Sequence, residues 1–112
     1  MTTLSQVINI LALERGIHRE YRMNENGEMK LQDLEKIYQP HELTILKSYR
    51  FEANTSSPDD NAVLYVIEDN EGNRGIIIDS YGAESNYPGD KFNNFLRQVK
   101  VEERTEYDFF NK

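Results

Sequence analysis

The sequence contains no cysteine. Disulfides, thiol nucleophiles and thiolate zinc sites are therefore excluded. Histidine is scarce as well, with only His18 and His41. Neither sits in a closely spaced histidine pair or a His-Glu-x-x-His motif, so a zinc centre of the usual kind is not expected. No block of Lys and Arg occurs. Thirteen Lys and Arg stand against twenty Asp and Glu, and the formal net charge is −7. A nucleic-acid binder needs a basic face to replace phosphate counterions, so nucleic acid is not an expected partner. An anionic membrane surface would repel the chain, and no apolar run approaches membrane-spanning length. The first residues lack the basic flank and long apolar stretch of a signal peptide, so the expected location is the cytoplasm. No Gly-x-Ser-x-Gly elbow and no Gly-rich phosphate loop is present.

What remains is a chain of 112 residues, 38% hydrophobic and 29% charged, which suits one small domain. Thr2 to Arg15 reads as an amphipathic helix, with Leu4, Val7, Ile8 and Leu11 on one face. Thr3 and Gln6 match a capping box, and Gly16 suits the left-handed residue that closes a helix. Glu20 to Leu31 reads as a hairpin: Tyr21 and Met23 alternate before Asn24-Glu25-Asn26-Gly27, Met29 and Leu31 after it. Leu31, Leu34, Ile37 and Tyr38 have helical spacing, and Pro40 stops any helix there, so a helical turn or a short helix is expected. A further brief turn is expected over Pro40 to Leu43.

Thr44 to Ala53 reads as a strand, with Tyr49, Phe51 and Ala53 on one face and Arg50 and Glu52 on the other. Asn54 to Asn61 is polar loop. Ala62 to Ile67 and Gly75 to Ile78 are continuous apolar runs, which predicts strands covered on both faces. The link from Glu68 to Arg74 is hairpin-like, with Gly72 available for a left-handed position. Asp90 can cap a helix in which Phe92, Phe95, Leu96 and Val99 share a face. The expected class is α+β: a small antiparallel sheet of three to five strands, covered by an N-terminal and a C-terminal helix packed on the same face. Residues 1–101 form the expected domain. Residues 102–112 form a charged and aromatic tail, expected either to fray or to dock Tyr107, Phe109 and Phe110 on the core or on a partner.

Two turns invite a calcium reading, and both fail it. Placing Asn24, Asn26 and Gly27 in an EF-hand loop puts Arg22 where an acid is required. Placing Asp69, Glu71 and Gly72 there puts Ile67 first and Ile78 last. The alternation of Tyr49, Phe51 and Tyr65 points to sheet packing before base stacking. The adjacent acids Asp59-Asp60 follow Pro58 and precede an apolar strand. They suit a strand-entry turn, or a cation site if they face Asp79.

Three short motifs stand out: Tyr49-Arg50-Phe51-Glu52, Pro58-Asp59-Asp60 and Asp79-Ser80-Tyr81-Gly82. With them, the stretch from Pro40 to Tyr81 resembles a family of small bacterial proteins, many of them labelled phosphoribosylpyrophosphate synthetase. That label implies a divalent-metal-dependent phosphoribosyl or nucleotide-handling protein. Asp59, Asp60 and Asp79 would hold Mg²⁺, Arg50 or Arg74 would meet phosphate, and Tyr81 belongs to the third motif. Enzymes of that name place two acids and a Thr/Gly-rich loop after an apolar strand. Here the acid pair precedes its strand, while Gly75 to Ala83 has the right order with one acid and one glycine.

Two expectations of different kinds follow. One is a small soluble binding or regulatory domain with no catalytic residues and no cofactor, its partner a protein or a small molecule, its state monomer or homodimer. The other is the Mg²⁺-dependent alternative. A third, an acidic partner for a basic protein, rests on net charge alone.

Overall fold

A computed structural model describes residues 4–32, 34–51, 62–79 and 89–104. The Thr3 cap, the loop with Asp59 and Asp60, Ser80-Tyr81-Gly82, and Tyr107, Phe109 and Phe110 lie outside the described residues.

Helix α1 spans Leu4–Arg15. Val7 and Leu11 are fully buried, and Leu4 and Ile8 pack against the same cluster, as the periodicity requires. Gly16 closes the helix at φ 67°, and the Ile17 amide donates back to the Leu11 carbonyl at 3.0 Å. Strands β1 (Tyr21–Met23) and β2 (Met29–Leu31) then form the expected hairpin, with Met23 opposite Met29. The helical spacing over residues 31–38 does not become a helix. Ile37–Tyr38 is strand β3, paired antiparallel with β2, and only one turn, Leu34 N–H to Leu31 carbonyl, survives of the helical pattern. The stretch is too short before Pro40 to repay helix nucleation, whereas pairing with a formed strand satisfies its amides at once. A single 3₁₀ turn at Pro40–Glu42 follows, with the Glu42 carboxylate accepting the Gln39 amide at 2.8 Å.

Strands β4 (Leu43–Phe51), β5 (Ala62–Asp69) and β6 (Arg74–Asp79) form an antiparallel meander. Helix α2 (Gly89–Gln98) leads into β7 (Lys100–Val101), which pairs parallel with β4. The architecture is α+β, built on two sheets: β1-β2-β3 and β6-β5-β4-β7. The Glu20–Ile76 bridge and the Ile76 N–H bond to the Arg19 carbonyl attach the small sheet to the β6 edge of the large one. An edge that would otherwise offer unpaired amides is thus covered. The C-terminal segment is fixed past residue 101: the Glu102 and Arg104 amides donate to Ile45 and Leu46 carbonyls at 2.8 and 3.0 Å.

The two helices pack on opposite faces of the large sheet, not on one. Val7, Leu11 and Ile17 cover Leu46, Leu64, Val66 and Ile76 on one side. Phe92, Phe95 and Val99 join Tyr21, Met29, Leu31 and Tyr38 over Ile45, Ile67 and Ile77 on the other. This explains the continuous apolar runs of β5 and β6. A strand buried on both faces has no polar side to alternate with.

A β-bulge sets which β4 side chains go where. Ile45 opposes Ile67 and Lys47 opposes Val66, so Leu46 is the extra residue. Before it, Leu43 and Ile45 face the small sheet. After it, Tyr49 and Phe51 face α1 and Arg50 takes the other side. Gly75 marks another constraint. A Cβ there would lie 2.8 Å from Leu31 Cδ1, 2.9 Å from the Arg19 carbonyl and 2.9 Å from Tyr21 Cε2. Only glycine lets the small sheet lie this close to β6.

Candidate functional site

Of the candidates named from sequence, Arg50 and Asp79 are described; Asp59, Asp60 and Tyr81 fall outside the described residues. The register brings Arg50 and Asp79 into one cross-strand row, on either side of Val63. Two strand spacings separate their backbones, about 10 Å. The next row on the same face is Ser48, Tyr65 and Ile77. Arg50 is exposed, while Tyr65 and Asp79 are half-buried. Burial alone pushes the Asp79 carboxyl above its ordinary range. Burial likewise raises the Tyr65 phenol, with a further rise from Asp79 and a smaller lowering from Arg50. A cation, a phenol and a protonation-prone carboxyl therefore share one end of one sheet face.

Arg74 does not join them. It begins β6 where Asp79 ends it, about 17 Å apart along the strand and on the opposite face. Its Nε bonds Glu68 Oε2 at 2.9 Å, and Arg104 approaches the other oxygen of that carboxylate at 3.7 Å. A phosphate at Asp79 would not find Arg74 within reach.

A different carboxylate accepts four hydrogen bonds within the fold. Asp69 is 5% exposed. Its Oδ1 accepts the Glu71 and Asn73 amides at 2.9 and 2.7 Å. Its Oδ2 accepts the Tyr38 hydroxyl at 2.6 Å and the Asn73 carboxamide at 2.9 Å. Burial pushes this carboxyl up, but the hydrogen bonds from Tyr38, Asn73 and Glu71 together outweigh burial and the net shift is downward. Tyr38 is driven the other way, first by burial and then by its bond to Asp69. Tyr21 meets Tyr38 edge-on at 5.5 Å and donates its hydroxyl to the Asn73 carbonyl at 3.3 Å. Lys36 lies 4.8 Å above the Tyr38 ring and 3.2 Å from Glu42. Asp69 was read from sequence only as part of a turn. The signal for its role was present: Asn24-Glu25-Asn26-Gly27 and Asp69-Asn70-Glu71-Gly72 are the same turn. In each, the first side chain accepts the amides two and four residues on, and the fourth residue is glycine at positive φ.

Two open depressions lie among the described residues. One, about 510 Å³, lies on the outer side of the small sheet and is lined by Glu20, Arg22, Lys30, Leu31, Gln32 and Leu34. The other, about 390 Å³, lies between the first hairpin tip, the Pro40 turn and α2, with Asn26, Gln39, Lys91, Asn94 and Gln98 on its walls. His18 and His41 are both exposed and line neither. Among the described residues, no group of three or more His, Asp and Glu side chains gathers as a cation site, and no helix is long and apolar enough to cross a membrane. Comparison with protein families, with curated proteins and with solved structures gives no match for this chain.

Proposed function

We propose that this chain is a small non-catalytic binding or regulatory domain whose ligand is a small molecule or a partner protein. The observation that carries this reading is the saturation of Asp69. A general acid or base must offer substrate a lone pair or a proton. An ionised carboxylate has about four acceptor sites, and Asp69 gives all four to its own fold. Glu68 is likewise divided between two arginines. The polar groups left open line shallow surface depressions, which suits recognition more than chemistry. A cytoplasmic location belongs to the same reading. The test is calorimetric titration of the full chain with small-molecule and lysate fractions, alongside turnover assays on the fractions that bind. Saturable binding without turnover is expected, and turnover of a bound compound would overturn the reading.

One observation favours a second reading, a divalent-metal-dependent phosphoribosyl or nucleotide-handling protein. Arg50 and Asp79 occupy the same row of one sheet face, with Tyr65 in the next. In that reading Asp79, with Asp59 and Asp60, holds Mg²⁺, Arg50 meets phosphate, and Tyr81 is a further ligand-binding candidate. Titration with phosphoribosyl pyrophosphate and Mg²⁺ decides between them. Saturable heat that needs Mg²⁺ and is lost in Asp79→Asn supports the second reading; no heat at millimolar ligand counts for the first.

A further inference from the structure

We propose, building on the binding-domain reading, that the depression on the outer side of the small sheet is a site for a small amphiphilic monoanion. Its acidic head sits on Lys30 and its apolar body lies over Leu34 and Ile37.

The sheet's period dictates the placement. Tyr21, Met23, Met29, Leu31 and Tyr38 all point into the core. The alternate residues must point out, and the register sets them in one row: Arg22 opposite Lys30, and Lys30 opposite Ile37. Two like charges directly opposite on neighbouring strands are unfavourable. A chain with twenty acids could have placed a carboxylate between them. Instead Glu20 pairs with Arg22 at 3.3 Å, and among the described residues no hydrogen bond or ion pair engages the Lys30 ammonium. Among the described residues, the depression therefore holds two cations against one acid. One positive charge, on a half-buried side chain, has no acid set against it among the described residues. Gln32 adds a donor, since its Oε1 already accepts the Glu20 amide at 3.4 Å.

The apolar half of the ligand is argued from exposure. Four large hydrophobic residues are exposed among those described: Leu13, Leu34, Ile37 and Val101. Two of the four flank this charge, Ile37 across the strand from Lys30 and Leu34 on the wall. A volume of about 510 Å³ is in the range of small-molecule sites. The net charge of −7 argues for a small ligand over a membrane or an acidic protein. A large polyanion feels the whole repulsive field. A single small anion feels mainly the charges within a Debye length, about 10 Å at ordinary salt.

Sodium octanoate, kept below micelle-forming concentration, is the probe. It is titrated into the full chain while backbone amide shifts are followed by NMR. Saturable shifts are expected over residues 20–23, 29–32 and 34–38. Acetate, a head without a tail, and octanol, a tail without a head, are each expected to bind at least about tenfold more weakly. Lys30→Gln should lose about tenfold in octanoate affinity with its thermal midpoint unchanged. Lys91→Gln, in the other depression, should bind as the parent does. Equal octanoate affinity in Lys30→Gln, or octanol binding as tightly as octanoate, overturns the proposal. If octanoate fails while another compound binds saturably elsewhere, this site falls and the binding-domain reading stands. Absence of binding by any small molecule or partner ends both.

Discussion

The Tyr38 hydroxyl donates to Asp69 Oδ2 at 2.6 Å, and this bond latches the small sheet to the turn between β5 and β6. Both groups are almost completely buried. Tyr38→Phe keeps the ring packing against Tyr21 but leaves the carboxylate one donor short. A hydrogen bond to a buried charge is worth about 1.5–3 kcal/mol, so urea unfolding should show a loss of that order. Asp69→Ala should cost more, because it also frees the Glu71 and Asn73 amides that the carboxylate holds. If Tyr38→Phe unfolds at the parent's urea midpoint, the latch is not a stabilising element.

Asp69 and Asp79 should pull the pH dependence of stability in opposite directions. The folded-state pKa of Asp69 is depressed. Its stabilisation is present above the unfolded carboxyl pKa and is lost as pH falls through the lower, folded value. The folded-state pKa of Asp79 is raised by burial. Its contribution is fully present below the unfolded pKa and is lost as pH rises through the folded value. At neutral pH, Asp79→Asn should therefore unfold at the same or a higher temperature than the parent, and Asp69→Asn at a lower one. Thermal midpoints measured from mildly acid to neutral pH check both signs. A destabilised Asp79→Asn at neutral pH would show that Asp79 has a favourable partner in the folded state.

Much of this fold was legible in the sequence, and the illegible parts share a cause. The helices over residues 4–15 and 89–98 follow from apolar residues at helical spacing: Leu4, Val7, Ile8 and Leu11 in the first, and Phe92, Phe95 and Leu96, with Val99 just past the end, in the second. Both hairpin turns follow from an Asx residue three before a glycine. The Arg22–Lys30 row could also have been read, because a symmetric turn fixes its own register. What could not be read depends on partners distant in sequence. Ile37 and Tyr38 fit a helical spacing as well as a strand, and only pairing with β2 decides between them. Which face each helix covers is set by the sheets and not by the helix. The meeting of Arg50 with Asp79 needs the register of three strands, and that register is altered by a bulge without a local signal.

Gly75 has no side chain and still fixes the distance between the sheets. A methyl group at this position would come within 3 Å of Leu31, the Arg19 carbonyl and Tyr21. One of these is backbone, tied to Ile76 by a 3.0 Å hydrogen bond, so it cannot step aside cheaply. Gly75→Ala should cost about 1–3 kcal/mol by overpacking, against the slight gain that the same change brings in an open strand. Gly72 offers an internal contrast. Its φ is +89° and nothing lies within 4 Å of a Cβ built there. Alanine at 72 should thus cost by backbone strain alone; a Leu31→Ala background should relieve part of the Gly75→Ala cost, the Arg19 and Tyr21 contacts keeping the rest, and should leave Gly72→Ala unchanged. Denaturant midpoints of the two double variants and their parent single variants separate these causes.

Leu46 has two roles, and they can be tested apart. Its side chain is fully buried under α1, so Leu46→Ala should open a cavity and cost about 2–5 kcal/mol. Its backbone is the extra residue of the bulge. Deleting it places Lys47 directly after Ile45, still opposite Val66, so every later residue keeps its partner and its face. Tyr49 and Phe51 stay on the α1 side, where they pack, and Arg50 stays on the other. The deletion removes the same side chain as the alanine variant, and it also removes the unpaired backbone of the bulge. Both variants should therefore unfold cooperatively, the deletion losing no more stability than Leu46→Ala. Both should also keep the row that joins Arg50 to Asp79, so any ligand depending on both residues still binds. Calorimetric unfolding and a binding titration on the two variants measure these outcomes, and a deletion variant without a cooperative transition would show that β4 needs the bulge itself and not only the Leu46 side chain.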